Sequence, residues 1–221
     1  MAAAGYKTIY GPGTAELIVS RSRFIAQARP VSDEAAALRF IGEIKKQRWD
    51  ATHNVWAYAL DPSAGRCGDD GEPRGTAGFP ILEVMRKEGV QAAAIVITRY
   101  FGGVKLGAGG LARTYARAAK LALETAGIVE RRPFLTCYAE TEYALAEKFR
   151  RELARQEFPI TGTLYQDAVM FTVAVPPDRL ESFDQAVAEL TAGRGKIRRG
   201  PEVYLAIDQD KMLLPGGDDH E

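Results

Sequence analysis

QAAAIVITRYFGGVKLGAGGLARTYARAAK, Gln91–Lys120, changes its periodicity twice. The first ten residues form a nearly unbroken apolar run, the pattern of a strand buried on one or both faces. Further on, Leu111, Tyr115, Ala118 and Ala122 recur at helical spacing and predict a helix that ends near Gly127. Between these segments Gly102, Gly103, Gly107, Gly109 and Gly110 fall within nine residues, flanked by Arg99, Lys105 and Arg113. Ordered glycine loses more backbone entropy than any other residue, so this concentration needs a structural or functional reason. A strand-to-helix turn can direct amide N–H groups and the positive end of a helix dipole at an anion. The same glycines also allow loop, helix and strand backbones to pack closely, and both readings stand on the residues alone. Known phosphate signatures match only in part. Gly102 and Gly107 have the P-loop spacing, but Ala108 and Gly109 occupy the Lys and Ser/Thr positions. GAGGLA lacks the last glycine of a dinucleotide fingerprint.

Upstream, ELIVSRSRFIAQARPV predicts two strands separated near Ser20–Ser22. Ser32 is expected to cap a helix, with Asp33 and Glu34 in its first turn and Ala37, Phe40, Ile41 and Ile44 on its packing face. THNVWAYAL alternates as a strand, with His53, Val55, Ala57 and Ala59 opposite Trp56, Tyr58 and Leu60. A helix over Pro80–Glu88 should stop at Gly89. Charge and proline in ERRPF interrupt both periodicities and suggest a domain boundary.

Beyond it the order is strand, helix (Tyr143–Gln156), strand, strand, helix (Pro177–Ala192), strand, a ferredoxin-like βαββαβ arrangement. Tyr143, Ala146, Phe149 and Leu153 are expected to line one helix, and Leu180, Phe183, Val187 and Leu190 the other. The expected fold class is α+β, with domains over 1–132 and 133–210 and a flexible tail over 211–221 that includes GGDDHE.

Of the 221 residues, 46% are apolar and 26% charged, which fits a globular chain and argues against wholesale disorder. No stretch is apolar enough to span a bilayer, and MAAAGYK lacks the features of a secretory signal. Cys67 and Cys137 form neither a disulfide framework nor a metal-spacing motif, so a reducing cytoplasm is expected. The net charge is zero but unevenly spread. Through Arg132 there are 19 basic against 13 acidic residues, and beyond it 10 against 16. The first half can therefore present a basic surface to a phosphate-rich partner.

A second loop, GDDGEPRGTAG, concentrates Asp69, Asp70, Glu72 and Arg74. Such carboxylates can hold Mg²⁺ or transfer protons, yet Asp-Gly, Glu-Pro and Arg-Gly in succession are also turn signals. A nucleophilic triad is not supported. His53 and His220 are the only histidines, and neither glycine-rich loop contains a serine. His53 reads as a hydrogen-bonded structural residue of a strand.

DDGEPRGTAGFP followed by RYFGGVKLGAGGLARTYARAAKLALE resembles the YigZ/IMPACT family, and SRSRFIAQA and THNVWAYAL are similar to further family segments. Bacterial members often carry His-His-Cys where this chain has Thr52, His53 and Asn54. The resemblance implies an N-terminal domain like domain 2 of ribosomal protein S5. It also implies a ferredoxin-like C-terminal domain similar to the last domain of elongation factor G. The eukaryotic relative IMPACT regulates translation, so the theme carried over is a translation-linked binding protein.

The leading expectation is a cytoplasmic binding or regulatory protein that contacts RNA, the ribosome or a translation factor, with no cofactor. Arg99, Lys105 and Arg113 would engage phosphate, while Tyr100, Phe101 or Tyr115 would stack on a base or support the loop. Gly102, Gly103, Gly107, Gly109 and Gly110 would supply the amides. GRGKIRRG, with Arg194, Lys196, Arg198 and Arg199, reads as a second basic patch or a solvated turn. The competing expectation is an enzyme acting on a phosphorylated small molecule or nucleotide. Asp69, Asp70 or Glu72 would then supply a metal ligand or base, and Arg99 a charge clamp. A third is a scaffold whose glycines serve packing alone.

Overall fold

Apolar residues on both faces of one strand require cover on both sides, and this organises the first half of the chain. In the computed structural model, which describes residues 5–208 and 211–213, the chain forms two compact units. One is Tyr6–Glu130, and the other is built from Arg131 onward. The first contains β1 (Tyr6–Ile9), β2 (Gly13–Val19), β3 (Ser22–Pro30), α1 (Glu34–Gln47), β4 (His53–Ala59), β5 (Gly65–Gly68), α2 (Gly78–Glu88), β6 (Ala93–Tyr100) and α3 (Gly107–Ala126).

The antiparallel sheet runs β2-β3-β6-β4-β5, so the apolar strand β6 lies at its centre. Ile95 and Ile97 join Phe24, Ala26, Val55 and Ala57 beneath α2 and α3. Ala94, Val96 and Tyr58 face Ala37, Phe40, Ile41 and Ile44 of α1. The two faces expected for β4 are the two faces observed.

Local details differ from the sequence reading in informative ways. Ser20 and Arg21 join β2 to β3 as a two-residue turn with φ of 47° and 65°, a primed-turn geometry without the usual Asn-Gly. Asp33, not Ser32, caps α1, because its Oδ1 accepts the Ala36 amide at 2.7 Å while the Ser32 hydroxyl donates to Oδ2. Gly107, Gly109 and Gly110 belong to the first turn of α3 rather than to the loop.

The second unit begins within β7 (Ile128–Thr141), which runs unbroken through the ERRPF segment. β7 pairs with β1 as well as with β9 and β10, so hydrogen bonding to distant strands overrides the local breakers. Pro133 precedes the segment paired with β9, which starts at Leu135. Then come α4 (Tyr143–Arg155), β8 (Ile160–Tyr165), β9 (Val169–Val175), a 3-10 turn over Pro177–Arg179, α5 (Leu180–Thr191), β10 (Lys196–Asp208) and β11 (Lys211–Leu213).

The sheet order is β11-β10-β7-β9-β8. Phe149 and Leu153 of α4 and Phe183 and Val187 of α5 pack with Cys137, Phe171, Val173 and Val175 of the sheet. Tyr143 does not join them: it is 55% exposed and stacks on Tyr165. Lys211–Leu213, expected to open the tail, pairs with β10, and the GGDDHE stretch and His220 lie outside the described residues. Both units are mixed α+β with antiparallel sheets.

Close backbone approach makes Gly13 a sensitive position. A Cβ there would lie 2.5 Å from the Ala122 carbonyl oxygen and the Ala126 amide nitrogen of α3. Gly13→Ala is expected to lower stability by about 1–3 kcal/mol. Urea unfolding followed by circular dichroism checks this.

Candidate functional site

The acidic loop leaves β5 and is closed by its own first carboxylate. Asp69 Oδ1 accepts the amides of Ala77 and Gly78 at 3.2 and 2.8 Å, and Oδ2 accepts that of Gly75 at 2.8 Å. These bonds satisfy amides at the start of α2, whose N-cap Ala77 has no oxygen of its own to offer. Asp70 takes the Lys45 ammonium on Oδ1 at 2.5 Å and the Asn54 amide on Oδ2 at 2.7 Å. Burial pushes the Asp70 carboxyl up, but Lys45 and the Asn54 amide outweigh it and hold the group below the usual carboxylate range. Arg74 is exposed.

Glu72 is the buried member of the loop. Its Oε1 accepts from Arg99 Nη1 at 2.6 Å and from the Tyr115 hydroxyl at 2.8 Å. Its Oε2 lies 3.8 Å from His53 Nε2, while His53 Nδ1 donates to the Asp70 carbonyl at 2.8 Å. Burial, together with the Glu72 carboxylate, pushes the Tyr115 phenol far up. His53 thus lies against the acidic loop on both ring edges and is hydrogen-bonded to it through Nδ1.

Arg99 corrects the expected phosphate contact. It is only 5% exposed, its Nη2 is 3.3 Å from Ser22 Oγ, and its guanidinium faces the rings of Phe24 and Phe101. Its charge is therefore directed at Glu72 and is not open to a solvent anion, nor to the clamp role of the enzyme reading. Tyr115 is fully buried and supports the loop from below, so it is not a stacking surface.

The glycines divide between the two readings. At Gly102 a Cβ would sit 2.1 Å from the Arg21 carbonyl, so this residue serves close backbone packing. Gly103 and Gly107 have φ of 83° and 70°, the left-handed region that favours glycine. Gly107, Ala108 and Gly109 are exposed at the start of the 20-residue α3, and Leu106 at the N-cap provides no side-chain acceptor. That leaves a solvent-facing helix N-terminus with Lys105 and Arg113 exposed beside it.

Two turns meet this loop. The Gly102 amide donates to Ser22 Oγ at 3.2 Å, beside the β2–β3 turn. The Phe101 amide donates to Thr52 Oγ1 at 3.0 Å, the Thr52 amide to the Arg99 carbonyl at 3.0 Å, and the Tyr100 hydroxyl to Asp50 at 3.1 Å. The α1–β4 turn is thereby fastened to the end of β6. It carries Trp49, which is 83% exposed, and the β2–β3 turn carries the exposed Arg21. Sequence reasoning missed both. The available signal for Trp49 was an aromatic in the polar run KKQRWD, outside the apolar period of α1.

Three of the four cations of the second basic patch are paired with carboxylates. Arg194 pairs with Glu142 at 3.1 Å, Lys196 with Glu140 at 3.5 Å, and Arg199 with both oxygens of Asp184 at 2.5 and 2.6 Å. Arg198 lies over the Tyr138 ring at 4.1 Å. No group of three His, Cys, Asp or Glu side chains among the described residues is arranged to hold a metal ion. Burial, reinforced by Asp69, pushes the Cys67 thiol up, which disfavours a thiolate nucleophile.

Together, the loop pair locked by Glu72 and Arg99 and the unit that follows it define a two-domain architecture. The Impact N-terminal domain matches residues 20–123, and a domain of unknown function, DUF1949, matches residues 140–194. The chain belongs to the IMPACT family. It is 39% identical over 202 residues to the IMPACT family member YvyE of Bacillus subtilis, covering 90% of this chain and 93% of YvyE. Against YigZ of Escherichia coli it is 30% identical over 195 residues, covering 86% and 92% of the two chains. A solved crystal structure described as a hypothetical protein is similar with a TM-score of 0.57 at 27% identity, over 89% of this chain and 97% of that one.

Glu72→Gln would leave Arg99 buried without a counter-charge and is expected to cost about 3–5 kcal/mol in urea unfolding. Combining it with Arg99→Met should cost less than the two single losses added. The lowered Asp70 carboxyl makes a separate pH signature. Its stabilising contribution is present above the unfolded carboxylate value of about 3.9 and is lost as pH falls through the lower folded value. Asp70→Asn is therefore expected to flatten the acid limb of a stability–pH curve below about pH 4.

Proposed function

We propose that this chain is a cytoplasmic, translation-linked binding protein that engages RNA phosphates at the turn-bearing end of its first unit. The observation that carries the reading is the exposed N-terminus of α3, bordered by Lys105 and Arg113 and lacking a side-chain cap. Backbone amides and the helix dipole favour an anion there, and the two cations add charge-assisted contacts. Arg99 acts indirectly: by pairing with Glu72 it fixes the loop that precedes the helix. The S5 domain 2-like reading of the first unit rests on the family resemblance. The ferredoxin-like reading of the second is supported by its element order and by the neighbouring strands β10-β7-β9-β8. Cys67 and Cys137 are both free thiols, which accords with a reducing, cytoplasmic setting. Among the described residues no helix is long and apolar enough to cross a membrane.

The enzyme reading has weaker support. Asp69 accepts three backbone amides, and Glu72 is occupied by Arg99 and Tyr115, so neither presents an open carboxylate to a substrate.

The test is salt-dependent binding of a fluorescent single-stranded RNA, measured by anisotropy. Lys105→Ala with Arg113→Ala is expected to weaken binding about tenfold or more. It should also reduce the slope of log K against log salt by about 1.4, two phosphate contacts at about 0.7 each. An unchanged affinity and slope would overturn the reading.

A further inference from the structure

We propose that Trp49 and Phe101 form a stacking platform for unpaired bases, so that the site selects single-stranded over duplex RNA. This rests on the phosphate-binding reading above and adds what lies between the phosphates. Trp49 is the most exposed large hydrophobic residue of the described chain at 83%, and among the described residues its ring stacks on no aromatic partner. Phe101 is 46% exposed. Large aromatics are seldom left so open, and here neither ring contributes to a core.

The mounting of the rings distinguishes them from side chains on a loose loop. Arg48 N donates to the Ile44 carbonyl at 2.8 Å, and Ala51 N donates to the Arg48 carbonyl at 3.1 Å. That same Arg48 carbonyl accepts Asn54 Nδ2 at 3.1 Å, and Asn54 Oδ1 accepts the buried Thr98 hydroxyl of β6 at 2.8 Å. With the Thr52 and Asp50 bonds already described, both sides of Trp49 are tied to the central strand. Phe101 is held through its amide to Thr52, and the Arg99 guanidinium lies 5.4 Å from the centre of its ring. Two exposed aromatic side chains therefore stand on backbone fixed to one strand end, so that a ligand would have to order the rings but not the turns that carry them.

The surrounding chemistry favours a nucleic acid over a protein partner. Trp49 is flanked by Gln47, Arg48 and Asp50 rather than by an apolar patch, and Arg21 and Lys105 are exposed on the neighbouring loops. Bases offer π faces of every sequence to such rings, whereas a duplex keeps those faces stacked internally.

The experiment compares a 12-nucleotide oligouridine with a 12-base-pair RNA duplex on the full chain. It uses Trp49→Ala, Phe101→Ala and the Lys105/Arg113 double alanine variant, with circular dichroism to verify folding. Trp49→Ala is expected to weaken oligouridine binding by roughly 5- to 150-fold while leaving its salt slope and duplex binding unchanged. In the unsubstituted protein, oligouridine should quench indole fluorescence, and most of that quenching should vanish with Trp49. Trp49→Phe should retain more affinity than Trp49→Ala. If both aromatic variants bind oligouridine normally while the double basic variant does not, the platform fails and phosphate binding survives. If Trp49→Ala weakens oligouridine and duplex equally, selection of single strands fails. Absence of binding to either RNA by the unsubstituted protein rejects both readings.

Discussion

The buried pair of Glu72 and Arg99 is the constraint on which the first unit's loop architecture depends. At 2.6 Å, with side chains only 3% and 6% exposed, it joins two segments that are each rich in glycine and individually prone to many conformations. Burying either charge alone is costly, so each loop supplies the condition under which the other can close. Tyr115 from α3 and His53 from β4 add contacts to the same carboxylate. A single glutamate thereby meets a strand, a helix and a loop. Replacement by an apolar set could preserve stability, but it would lose the directional bonds that set where the loops run.

That inward use of charge defines what remains outside. Once Arg99 is committed to the interior, the exposed cations left on these loops include Arg21, Lys105 and Arg113, and the exposed rings include Trp49 and Phe101. The glycines separate in the same manner. Gly102 yields space to the Arg21 backbone, while Gly107 has open space beside it and Gly109 lies next to the Arg113 guanidinium. Packing therefore accounts for some glycines of the segment, and the proposed recognition would draw on others.

Much of the fold was legible because it follows local periodicity. The apolar run of β6, the two faces of β4 and the alternation of strands and helices after β7 all appear in side-chain order. The family was legible too, from two loop motifs whose residues are tied together in the folded chain. What escaped was set by distant partners. ERRPF reads as a boundary, and the two units do divide at Glu130/Arg131, yet the segment is continuous strand within β7. Asp69 reads as a metal or acid–base candidate, but its three acceptor bonds go to amides six to nine positions ahead. Arg99 looks like a phosphate contact until Glu72, far away in sequence, is seen beside it. Trp49 required knowledge of the turn that lifts it out of the α1 face.

The continuity of β7 bears on biosynthesis. β1 ends at Ile9, yet it pairs with a strand that begins only at Ile128. During translation β1 must wait for nearly the whole first unit before this partner is available. The closing step is consequently long-range, and it carries the loop-closure cost that slows the folding of chains with distant contacts. Because the same strand then pairs with β9, completing the first unit also lays down the opening strand of the second.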